Sequence, residues 1–152
     1  MKRLASLPTL RVDLRRPVPF VYKNQTGRGF EGDTIAPALY AAGVRIFSRS
    51  LKYHRPRGLF SLDGECSNTM MTVNDVPNVR AETTLLAEGA VIRDQNAVFT
   101  ARNDLLGFMN RLDRLMPAGF YYETMHKPAA LWPLAAKMVR KAAGLGRMEP
   151  DF

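Results

Sequence analysis

The sequence predicts an α+β domain: a mixed sheet with one helix packed across it, followed by a C-terminal extension of two helices. Three observations lead there. Short runs of alternating polarity, bounded by turn residues, fill most of the first 95 positions. One set of apolar residues at helical spacing, Ile35, Leu39 and Ala42, interrupts them. Beyond residue 99 the alternation gives way to apolar stripes of helical period.

Taken in order, VPFVYKNQTGRGFEG, starting at Val18, predicts a β-hairpin. Phe20 and Tyr22 alternate with smaller or polar residues, and QTGRG supplies the turn. DTIAPALYAAG predicts a short helix with Asp33 capping its first N–H groups. Pro37 falls near the end of the first turn, where a missing donor costs little. Gly43 closes the helix in a left-handed conformation. VRIFS at 44–48 is a strand candidate, and KYHRPRG after it is irregular because Pro56 disfavours helix at Arg55. MMTVN, RAETTLL and AVIRD complete the strands. In NDLLGFMNRLDRLM, the residues Leu105, Met109, Leu112 and Met116 form one helical stripe. In ALWPLAAKMVRKAAG, Leu131, Leu134 or Ala135, Met138 and Ala142 form another, with Lys137, Arg140 and Lys141 toward the end that suits cations. The chain divides into a basic arm at 1–16, the sheet domain at 17–98 and the helical extension at 99–152.

The composition narrows the function classes. An apolar fraction of 46% over 152 residues suits one folded domain with an appendage. No run approaches the ~18 apolar residues of a membrane span. The start, MKRLASLPTLRVDLRR, is broken by Pro8, Arg11 and Asp13 where a secretory signal is continuously apolar, so the cytoplasm is the expected compartment. One cysteine forms no internal disulfide. The net charge of +8 gathers in part at the ends, in residues 2–16 and 137–147. Such charge attracts acidic partners or nucleic acid. The aromatics are not interleaved with the basic runs as a base-stacking platform requires, so nucleic acid is not the expected partner.

RGLFSLDGECSNTMM at 57–71 carries the most specific chemistry. A plant-type [2Fe–2S] loop offers thiolates as C-x4-C-x2-C. With Cys66 at the middle position, the outer two fall on Ser61 and Thr69, and the spacing survives without two of its sulfurs. Hydroxyls are poor replacements for soft thiolates at iron. Cys66 therefore reads as a small buried apolar residue before it reads as a ligand.

At this point the chain resembles a family: the N-terminal ferredoxin-like region of the heterotetrameric sarcosine oxidase α subunit, with related small subunits of bacterial amine, opine and hydroxyproline dehydrogenases. The shared words are FEGDTIAPALYAAGV, RSLKYHRPRGL, NVRAET, EGAVIRDQN, GFYYETMHKP and RKAAGLG, with KYHRPRG and GFYY the most specific. The resemblance implies a β-grasp fold. It also implies a fourth cluster position after an Arg–Ala pair; here Arg80–Ala81 precedes Glu82, which makes the four positions Ser61, Cys66, Thr69 and Glu82. It implies a cluster-free structural and assembly subunit of a flavin-dependent oxidoreductase acting on amines or N-methyl amino acids. A [2Fe–2S] electron-transfer subunit is the first alternative, and a basic nucleic-acid-binding module, read from the charge alone, the second. The sarcosine oxidase α subunit continues into dinucleotide- and folate-binding domains, whereas this sequence ends at Phe152 without a G-x-G-x-x-G fingerprint, so a separate small subunit is expected. It would bind no cofactor alone, with FAD, FMN and, as an option, NAD on larger partner chains. Glu123 stands where the family often has lysine.

Arg55 and Arg57 are candidates for contact with an acidic partner or a cofactor phosphate, through bidentate hydrogen bonds. Their bland alternative is a solvated loop with arginines stacked on Tyr53 or Phe60. Tyr121 and Tyr122 are candidates for a partner contact, with Phe120 turned to the core. No nucleophile–base pair stands out, and catalysis by this chain alone is not expected.

Overall fold

A computed structural model describes residues 11–115, 129–134 and 136–137. Two hairpins with two-residue turns supply four of the five strands of the main sheet. The first joins β1 (Asp13–Tyr22) to β2 (Gln25–Glu31), and the second joins β5 (Met70–Val73) to β6 (Val76–Arg80). Their turns, Lys23–Asn24 and Asn74–Asp75, have positive φ at both residues, the twist-matched geometry of tight hairpins. The turn thus lies two residues earlier than QTGRG predicts, and that segment is strand. Gly27 sits opposite Phe20, and a Cβ there would come 2.4 Å from the ring, so the glycine makes room for a fully buried phenylalanine.

The sheet order is β2-β1-β7-β5-β6, with β7 (Val91–Arg93) parallel to β1 and antiparallel to β5. Proline is unusual in a central strand, yet β1 holds Pro17 and Pro19. Val21 donates its N–H to Ala90, so alternate residues of β1 aim toward β7. Both prolines share that side, upstream of the Val21–Val91 pairing, where β7 does not reach.

Helix α1 (Ile35–Ala41) lies on the sheet and buries Ile35, Ala36, Ala38 and Leu39 beside Phe20, Phe47, Met71 and Ile92. A side chain the size of leucine contributes about 1.5–3 kcal/mol when fully buried. Gly43 follows at φ +96, the left-handed stop expected for it. The start differs from expectation. Thr34 is the cap residue and makes no side-chain cap bond. The N–H groups of Ile35 and Ala36 instead donate to the carbonyls of Thr84 and Ala81. Asp33 turns back, and its carboxylate accepts from the Phe30 N–H at 2.9 Å. The segment 81–86 is consequently a set of turns under the helix rather than the predicted strand RAETTLL; strand β6 ends at Arg80. A helix start whose donors point at a loop can be capped by that loop's carbonyls in place of a side chain.

VRIFS contributes its Phe47 ring to the core but little ladder: only Ser48–Arg49 (β3) pairs, with Pro56–Arg57 (β4), in a separate two-stranded ribbon. Leu105–Leu115 winds in 3₁₀ turns rather than an α-helix, and Leu105 is 63% exposed, so the predicted stripe does not close onto the sheet. Ala129–Leu131 is one further 3₁₀ turn, with helical residues at 132–134 and 136–137. Met116, Met138, Ala142 and Gly144 lie outside the described residues. No described helix is long and apolar enough to cross a membrane. The whole is α+β, and the main sheet with its crossing helix has the β-grasp arrangement.

Candidate functional site

The loop from Gly58 to Thr69 leaves β4 and returns into β5. Gly58 passes so close to the Arg45 carbonyl that a Cβ would meet that oxygen at 2.1 Å. The next turn is built by Asp63. Its Oδ1 accepts from the Glu65 N–H at 2.9 Å and from the Ser61 hydroxyl at 2.8 Å. The first of these bonds, then the second, holds the Asp63 carboxyl below its usual range. Gly64 follows at φ +84, beside the Thr83 methyl. Cys66 is a buried free thiol, and the fully buried Thr69 hydroxyl donates to the Cys66 carbonyl at 3.2 Å. Ala81 N–H donates to the Thr69 carbonyl at 3.1 Å, which brings Glu82 to the same end of the sheet.

The chemistry of this set does not fit an iron–sulfur cluster. A [2Fe–2S] centre takes four thiolates. Here one thiol stands with two hydroxyls already bonded within the loop, at Ser61 and Thr69, and a carboxylate, Glu82. Hard oxygen donors do not replace soft sulfur at iron. Among the described residues no group of three or more histidine, cysteine and acidic side chains could hold a metal ion. Glu82 is itself unusual: its side chain is buried, neither carboxylate oxygen has a hydrogen-bond partner among the described residues, and the Arg80 guanidinium is 3.8 Å away. Around the loop, Phe60 is 87% exposed, and Leu62 and Leu85 are also exposed.

The basic segment is more engaged than its composition suggests. Arg49 donates to the carbonyls of Ala101, His54 and Arg102. Arg55 lies 4.7 Å over the Tyr53 ring, donates to Asn110 at 2.7 Å and pairs with Asp113 at 3.0 Å. The stacking expected of a solvated loop is present, joined to a link into the 105–115 turns. Arg57 has no hydrogen-bond or ion-pair partner for its guanidinium among the described residues. Tyr121 and Tyr122, with Phe120 and Glu123, lie outside the described residues.

One buried pair escapes the sequence reading. His54 Nδ1 stands 2.7 Å from Asp104 Oδ2, with both side chains withdrawn from solvent. Asp104 Oδ1 also accepts from the Val98 N–H at 2.8 Å. A carboxylate only accepts, so Nδ1 is the donor. The partners are 50 positions apart, and no local signal joins them. A second hub is Asp94, which accepts from the Tyr22 hydroxyl and the Ala101 N–H and pairs with Lys23 at 2.7 Å. Burial, then that hydrogen bond, pushes the Tyr22 phenol above its ordinary range.

Over residues 15–97 the chain matches the family described as the 2Fe-2S iron-sulfur cluster binding domain. It is 39% identical over 141 residues to the sarcosine oxidase subunit alpha of Rhizobium meliloti (strain 1021), covering 90% of this chain and 14% of that relative. It is 35% identical over 66 residues to the sarcosine oxidase subunit alpha of Corynebacterium sp. (strain P-1), covering 43% of this chain and 7% of that one. This chain therefore spans about one-seventh or less of the length of these relatives. Among solved structures, L-proline dehydrogenase from P. horikoshii is similar with a TM-score of 0.44 and 25% identity, over 51% of this chain and 15% of that one. The chain belongs to the family of 2Fe-2S iron-sulfur cluster binding domains.

Proposed function

We propose that this chain is a cluster-free structural and assembly part of a flavin-dependent oxidoreductase similar to sarcosine oxidase, acting on an amine or N-methyl amino acid. The observation that carries this reading is the chemistry at the four cluster positions. Ser61 and Thr69 spend their hydroxyls inside the loop, Cys66 is alone, and Glu82 offers a carboxylate. A fold retained without its metal grip works through its surface. Exposed Phe60 and Leu62 at the loop tip suit docking onto a larger chain. In this reading FAD, FMN and any NAD sit on larger flavin- and dinucleotide-binding partners, and the complex works in the cytoplasm.

The test is to isolate the chain in its native complex and measure iron, acid-labile sulfide and visible absorption on the separated chain. The reading expects none of these with this chain, and expects it to copurify with flavoprotein chains. About two iron atoms per chain, with the absorption of a [2Fe–2S] centre, would replace it by the electron-transfer alternative. Replacing both Phe60 and Leu62 by Ser should weaken copurification while leaving the fold intact; unchanged assembly would remove the loop tip from the docking surface.

A further inference from the structure

A cleft of about 620 Å³ opens between the β3–β4 ribbon and the edge made by Met70, Asn78 and Gln95. Its size is that of a cofactor-scale site. Four cations line it, Arg49, Lys52, Arg55 and Arg57, and no acidic side chain among the described residues does. Ser50 and Ser67 add hydroxyls. A concave surface lined by one sign of charge focuses the field on a small anion.

The four cations are not equivalent. Arg49 is committed to three backbone carbonyls, and Arg55 has two of its donors committed to Asn110 and Asp113. Those bonds fix the two guanidinium groups; Arg49, on neutral carbonyls, keeps its charge, whereas Asp113 balances that of Arg55. Arg57 is different. Its backbone is held in β4, with the Phe47 N–H donating to its carbonyl at 2.8 Å, while its guanidinium meets no acceptor among the described residues. A planar donor fork on a fixed backbone, beside the fixed cation Arg49, is an arrangement that binds a tetrahedral oxyanion through paired hydrogen bonds.

We propose that this cleft is an anion site for the phosphate group of a small molecule, with Arg57 as its principal contact. A phosphate fits better than an acidic polypeptide because the cations line one concavity instead of spreading along a face. The proposal goes beyond the functional reading above and does not depend on it, since it concerns neither the cluster positions nor the loop tip.

The test is titration of the full 152-residue chain with inorganic pyrophosphate, AMP and adenosine, read by calorimetry and by amide NMR. Pyrophosphate and AMP should bind with shifts confined to residues 48–57 and 95–96, while adenosine should bind at least about tenfold more weakly. AMP tighter than pyrophosphate would indicate a nucleotide as the source of the phosphate; equal binding would indicate the phosphate group alone. Arg57→Gln should weaken both by about tenfold or more, and Arg57→Lys by less, because charge without the fork keeps part of the attraction. An unchanged amide spectrum away from the cleft separates loss of binding from loss of fold. The proposal falls if pyrophosphate and AMP leave the chain unaffected up to about 10 mM, or if adenosine binds as well as AMP. It also falls if a folded Arg57→Gln variant binds normally, or if hexaglutamate displaces pyrophosphate at equal or lower concentration.

Discussion

Two buried carboxylates, Asp104 and Glu82, differ in how their oxygens are met. The side chains of both are shielded from solvent. Asp104 receives the His54 ring and the Val98 N–H, and so locks the basic loop to the segment that follows the sheet. Glu82 stands where the resemblance implies a fourth cluster position, with no hydrogen-bond donor on either oxygen among the described residues. A buried carboxylate is tolerated when its oxygens are met and is costly when they are not. The first is a finished structural joint. The second is not finished; in the reading proposed above, it is a ligand position changed within a retained backbone.

The largest effect expected from that difference is a gain. Replacing Ser61, Thr69 and Glu82 together by cysteine puts thiols at all four positions. If the backbone cradle persists, reconstitution with iron and sulfide should raise bound iron from none to about two atoms per chain, with the visible absorption of a [2Fe–2S] centre. A folded triple variant that stays colourless would mean the loop has lost the cradle as well as the ligands, and Glu82 would then mark nothing about ancestry.

Next in size is the loss of the finished joint. Asp104→Ala leaves His54 buried without its acceptor and releases the Val98 N–H, so unfolding free energy by urea titration should fall by about 3–5 kcal/mol. His54→Ala should cost less, and the two changes should be coupled by about 1–3 kcal/mol in a double-mutant cycle. Additive effects would show that the two side chains are neighbours without being partners.

The same pair shows where sequence reading stops. Patterns along the chain located α1, its glycine stop, the first hairpin and the strands β5 and β7, because each rests on spacing among near neighbours. The hairpin turn was misplaced because glycines in QTGRG were read as turn formers, whereas Gly27 clears space for Phe20 and the turn uses Lys23 and Asn24. Asp33 looked like a helix cap because that role is common; the carbonyls of Ala81 and Thr84 took the donors, and they come from 45 or more positions away. Ser61, Cys66 and Thr69 were proposed from their spacing in one loop, and Glu82 only from the family resemblance. The carboxylate of Asp104 was not legible, since nothing near Asn103 or Leu105 signals a histidine 50 positions earlier in the chain. Arg55 was legible as a cation and its partners, Asn110 and Asp113, were not, for the same reason.

A smaller effect, opposite in sign to that at Asp104, is expected at Glu82. Glu82→Met fills a similar volume without a polar group, and Arg80, which is partly exposed, remains hydrated. The isolated chain should be unchanged or more stable by about 1 kcal/mol. Calorimetric melting of the variant beside the parent measures this. A clear loss of stability would show that the carboxylate has partners after all, and would erase the contrast with Asp104.

The smallest effect lies at the mouth of the same loop. Asp63 accepts from the Glu65 N–H first and the Ser61 hydroxyl second, and both favour its ionised form. Its folded value therefore lies below that of the unfolded chain, about 3.9. The linked stabilisation is fully present above that pH and is lost as pH falls through the lower, folded value. Followed by NMR at the Glu65 amide, Asp63 should titrate below an ordinary aspartate. Ser61→Ala should move the midpoint up only part of the way, because the backbone bond remains. The triple-cysteine variant should show the same partial rise, since it too lacks the Ser61 hydroxyl and keeps the Asp63–Glu65 turn. If Asp63 already titrates at the ordinary value in the parent chain, the loop is not held by this turn, and the preformed cradle invoked for cluster reconstitution loses its most direct local support.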